Sequence, residues 1–93
     1  MIHVVLHDAA DTVAVAVVEG IKAGADLTAW IMDDDRTVML TALDDIPMGH
    51  KIAMVDLAVD DTVIKYGVDI GKVVASARRG QHAHVHNIKT KRW

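Results

Sequence analysis

Three features of this 93-residue chain predict an all-β fold. It carries fourteen valines and eight isoleucines against five leucines and no phenylalanine. β-Branched side chains lose rotamer freedom in helices and fit a pleated surface. Short apolar runs alternate with polar positions along the chain, and stretches such as MDDDRT and AVDDT separate them. Asp in such stretches tolerates tight turns and resists burial. The length predicts one domain, residues 1–93, with a modest core.

Strands are expected at about 2–7, 11–18, 27–32, 37–43, 50–57, 62–66 and 82–89. The first, IHVVLH, follows Met1 directly, with no basic segment leading into an apolar stretch; a signal peptide is not expected. In the second, Val13, Val15 and Val17 share one face while Ala14 and Ala16 share the other. MDDDRT turns the chain between the third and fourth, and AVDDT turns it before the sixth. GKVVASARRG, residues 71–80, is the one stretch expected to form a short helical turn.

An internal repeat runs through these elements. EGIKAGADL at 19–27 and DDIPMGHKI at 44–52 superimpose without gaps, matching Ile21 with Ile46, Gly24 with Gly49 and Leu27 with Ile52. Glycine at such a point permits a positive φ, so the chain can reverse before the next strand. Pro47 pushes Ile46 towards extended geometry, which reinforces the turn in the second copy. ARRGQHA at 77–83 is a fainter third echo.

Composition excludes several chemistries. With no cysteine there are no disulfides, thiolate ligands or cysteine nucleophile, which suits a reducing, cytoplasmic location. No run approaches the roughly 18 apolar residues of a membrane span. A net charge of −3 argues against general nucleic-acid binding, although Arg78, Arg79, Lys89, Lys91 and Arg92 cluster late as solvated or local anion-binding surface. There is no glycine-rich phosphate loop, and Ser76 lacks a GxSxG context.

The candidate chemistry centres on GQHAHVHN, residues 80–87. On a strand His82, His84 and His86 would share one face, with neighbours about 6.6 Å apart at the backbone. Two such imidazoles can converge on one metal, but the outer pair cannot join them without a bend. The segment therefore offers a half-site, or a row of imidazoles for a substrate carboxylate or hydroxyl, or a polar face that binds nothing. GHKIA places His50 and Lys51 directly after the repeated glycine, and IKYG supplies Lys65 as a cation and Tyr66 as a phenol donor. Partial burial of either lysine would lower its pKa towards proton transfer. His3 and His7 are expected at the surface.

DTVAVAV, I-x-A-G, IPMGHKIA, VIKYG and G-x-H-x-H-x-H-N, taken in this order, resemble the SAF-type domain of the altronate and galactarate dehydratase family. The resemblance spans nearly the whole chain. The ending HNIKTKRW fits a separate small subunit. The resemblance implies a β-clip fold and membership of a lyase, with iron(II) as activating metal and a larger subunit holding most of the catalytic apparatus. Family members act on small anionic hydroxy acids: some eliminate sulfite from sulfolactate to give pyruvate, and others remove water from a sugar acid. It also implies substrate-binding roles for His50, Lys51, Lys65, Tyr66, His82 and Asn87, and metal-binding roles for His84 and His86. A second reading, from a different class, is a non-catalytic carbohydrate- or anion-binding β module.

Overall fold

The computed structural model describes residues 1–65, 68–84 and 88–89. These form eight strands and no helix: β1 (Val4–Leu6), β2 (Val13–Ala16), β3 (Asp26–Ile31), β4 (Arg36–Thr41), β5 (Lys51–Ala53), β6 (Thr62–Lys65), β7 (Val68–Val73) and β8 (Ile88–Lys89). A five-stranded sheet runs β4-β3-β1-β2-β5, and a three-stranded sheet runs β6-β7-β8. β1 and β3 pair in parallel. The remaining ladders are antiparallel.

Burial follows the period-2 pattern wherever one face meets a core. In β3, Leu27, Ala29 and Ile31 are buried while Asp26, Thr28 and Trp30 face outward. β2 is packed on both faces. Ala14 and Ala16 enter a core with Val4, Leu27, Ile46 and Ile52, and Val13 enters a second with Leu57, Val63, Val73 and Ala83. Thr12 joins the two sheets: its amide donates to the Ile64 carbonyl at 2.9 Å, and its Oγ1 accepts the Ile64 amide at 2.9 Å.

Residues 71–80 depart from the expected helical turn. They complete β7, where Val73 is buried and pairs with Ile88, and then enter a bend and a turn. A ladder partner and a core place for Val73 outweigh the helix preference of the alanines and arginines that follow.

Among the described residues the repeat has four copies in space. Turns Ile21–Gly24, Ile46–Gly49, Leu57–Asp60 and Ala77–Gly80 each end on a positive φ, at Gly24 (90°), Gly49 (85°), Asp60 (76°) and Gly80 (92°). In each, the following amide donates back to the turn's second carbonyl: Ala25 to Lys22, His50 to Pro47, Asp61 to Ala58 and Gln81 to Arg78. The leading residues meet in antiparallel bridges, Ile21 with Ile46 and Leu57 with Ala77. A carboxylate crosses each pair, Asp45 Oδ1 accepting the Ala23 amide at 2.9 Å and Asp56 Oδ1 the Arg79 amide at 2.8 Å.

Candidate functional site

Two of these turns build the site. The Gly49 turn seats on β2, the Gly49 amide donating to the Ala16 carbonyl and the Ala16 amide to the His50 carbonyl. The Gly80 turn seats on β5 in the same way, Gly80 to the Ala53 carbonyl and Ala53 to the Gln81 carbonyl. Because β2 and β5 are neighbours, the residues that leave these turns come together. His82 then bridges to Ile52, and the Ala83 amide donates to the Lys51 carbonyl, so residues 82–84 run alongside β5.

His50, His82, His84 and Lys51 form one half-buried cluster. His50 Nδ1 lies 2.9 Å from His82 Nε2, so one nitrogen carries the proton and the other accepts it. The His50 and His84 rings stack with centroids 4.1 Å apart and planes inclined by 24°. Lys51 Nζ lies 3.3 Å from His84 Nδ1 and donates to it. Burial lowers the Lys51 pKa, and repulsion from Lys65 at the end of β6 lowers it further. Lys65 is itself half-buried. Two lysines and three imidazoles therefore gather donors and positive charge in one place, suited to gripping a small anion and stabilising charge that develops on it.

Tyr66, His86 and Asn87 lie outside the described residues. His3 takes a structural role and is half-buried, not plain surface: its Nδ1 accepts the Thr28 amide at 3.0 Å, extending the β1–β3 ladder. Asp44 was not signalled by the histidine spacing, yet its Oδ2 accepts the His82 amide at 2.9 Å. The doubled acid before Ile46 was its only trace in the sequence.

Imidazole suits iron(II) as a donor, but the described residues do not fit a complete iron centre. Among them, no three His, Asp or Glu side chains converge as a metal site. His50 and His82 are directed at each other, and His84 Nδ1 meets the Lys51 amine. A separate cavity of about 230 Å³, lined by Leu6, Asp11, Ile31, Arg36, Met54 and Arg79 among others, shares no lining residue with the cluster. Among the described residues, no helix is long and apolar enough to cross a membrane.

An all-strand fold with paired glycine turns and a histidine–lysine cluster beside β5 defines a small β domain of one known family. The chain belongs to the altronate/galactarate dehydratase SAF domain family, whose model matches residues 2–91. It is 63% identical over 89 residues to the (2R)-sulfolactate sulfo-lyase subunit alpha of Chromohalobacter salexigens, covering 96% of this chain and 95% of the relative. It is 54% identical over 63 residues to the protein of the same name from Paracoccus pantotrophus, covering 68% of this chain and 94% of the relative. It is 38% identical over 90 residues to the altronate dehydratase of Escherichia coli, covering 97% of this chain but 17% of that enzyme.

Proposed function

We propose that this chain is the small subunit of a two-component lyase that eliminates sulfite from sulfolactate to give pyruvate. The observation that carries the reading is the 63% identity to a sulfolactate sulfo-lyase subunit alpha, running through nearly the full length of both chains. The altronate dehydratase match is lower in identity and covers a small part of a much longer enzyme, so a sugar acid is the less favoured substrate.

The reaction breaks the C–H bond α to the carboxylate and the C–S bond on the adjacent carbon. A base of the assembled site takes the proton, the C–H electron pair forms a carbon–carbon double bond between them, sulfite leaves with the C–S electron pair, and the resulting enol tautomerises to pyruvate. Charge builds on the substrate carboxylate as the proton departs, and nearby cations stabilise it. In this reading Lys51 and Lys65 hold the anionic groups of the substrate, with Tyr66 and Asn87 contributing hydrogen bonds. The His50–His82 pair, which already shares a proton, orients the substrate hydroxyl. The described residues supply one wall of a site, and a larger catalytic subunit in the cytoplasm supplies the rest, including any iron; the small chain alone is inactive.

The test is to purify the small chain, purify a large subunit of the same family, and assay sulfite and pyruvate release separately and together. Activity only in the mixture supports the proposal. Sugar-acid dehydration without sulfite release would replace the substrate, and ligand binding without any turnover in the mixture would favour a binding module.

A further inference from the structure

Residues 80–82, which lead into the cluster, are pinned from the side opposite β5 by the residues that leave β4. The Leu43 amide donates to the Gly80 carbonyl at 2.8 Å, and Asp44 Oδ2 accepts the His82 amide at 2.9 Å. Gly80 approaches the Thr41 carbonyl oxygen so closely that a Cβ there would collide with it. Two hydrogen bonds, from Leu43 and Asp44, thus hold residues 80–82, and the close approach to Thr41 leaves room only for glycine at position 80.

The Asp44 bond differs from the Leu43 bond because it comes from a side chain and ends on a residue of the cluster. The amide it holds belongs to the histidine whose Nε2 meets His50 Nδ1. A hydrogen bond accepted by a carboxylate is roughly twice as strong as a neutral one, and it fixes the backbone from which the His82 ring projects. Asp44 is half-buried and makes this contact 38 residues away in sequence. Its neighbour Asp45 serves the turn framework instead, through Ala23 and Lys22.

We propose that Asp44 is a positioning residue: it sets the His82 backbone so that the ring meets His50, and through that pair it governs turnover. The catalytic part of this statement rests on the function proposed above; the structural part does not. Asp44→Leu and Asp44→Asn separate them, since Asn keeps a carbonyl acceptor at the same reach. The small chain, labelled with ¹⁵N, reports the His82 amide and the His50 and His82 ring nitrogens, and a melting curve confirms that each variant folds. The Leu variant is expected to shift the His82 amide and both rings, and the Asn variant to return them near their original positions. In the complex reconstituted with the large subunit, kcat for sulfite release is expected to fall at least tenfold with Leu and to recover with Asn, with KM changing less. Unchanged ring signals in a folded Leu variant would overturn the positioning role. Shifted rings with unchanged sulfite release would leave Asp44 as the positioner of His82 and overturn the functional reading of the histidine pair.

Discussion

His50 Nδ1 and His82 Nε2 stand 2.9 Å apart, although 32 residues separate them in the chain. Their meeting depends on two glycine turns seated on adjacent strands and on the segment after β4 that holds residues 80–82.

Removing either partner should therefore cost activity without costing the fold. Both rings are half-buried and lie outside the two buried clusters. His50→Ala and His82→Ala are each expected to reduce sulfite release by the reconstituted complex by about 10²-fold, the scale of one positioned polar group. The double variant should lose little more, because the two act as a unit. Steady-state kinetics of the three variants check this, and fully additive losses would show that the rings work separately.

Lys51 should release its proton at a lower pH than an ordinary lysine. Burial disfavours its ammonium, and the positive charge of Lys65 adds to the effect; both act in the same direction. Reductive ¹³C-methylation followed by NMR titration reads the midpoint against a free lysine side chain. Lys65→Met removes the second cause and should move the Lys51 midpoint back up.

Gly80 and Gly24 share nearly the same positive φ but differ in surroundings, since a Cβ at Gly24 meets nothing within 4 Å while one at Gly80 strikes the Thr41 carbonyl. Each Gly→Ala change carries the left-handed penalty of about 1–2 kcal/mol. At Gly80 the collision adds about 1–3 kcal/mol. Urea unfolding should therefore rank Gly80→Ala well below Gly24→Ala.

Asp11 is 2% exposed, and its Oδ2 accepts the amides of His7 and Asp8. Asp11→Ala removes that buried acceptor from a part-buried turn, a loss of about 1–3 kcal/mol in all. Asp11→Asn keeps an oxygen in place and should recover most of it. The same urea measurements decide the point.

The strands were legible where one face alone meets a core: Leu27, Ala29 and Ile31 alternate with the outward-facing Asp26, Thr28 and Trp30, and MDDDRT closes the β3–β4 hairpin as its aspartates require. The repeat was legible in the two copies that share Ile and Gly. It faded at Ala77–Gly80 and vanished at Leu57–Asp60, where an aspartate takes the left-handed position that glycine holds elsewhere. Residues 71–80 misled because Ala and Arg favour a helix locally, whereas Val73 answers to a partner strand. Lys51 beside His84 and His50 beside His82 could not be read at all from spacing, since both contacts depend on which turns pack side by side. The family resemblance named these residues as a group, and the fold supplies the reason that they form one.

The most direct measurement is sulfite and pyruvate release from sulfolactate by the small chain alone, by a large subunit of the same family alone, and by the two combined. Stoichiometric release of both products is expected only from the combination, with a His82→Ala small chain restoring little of it. Full turnover by either chain alone, or an unimpaired complex containing the His82→Ala chain, would contradict a site shared between the two subunits.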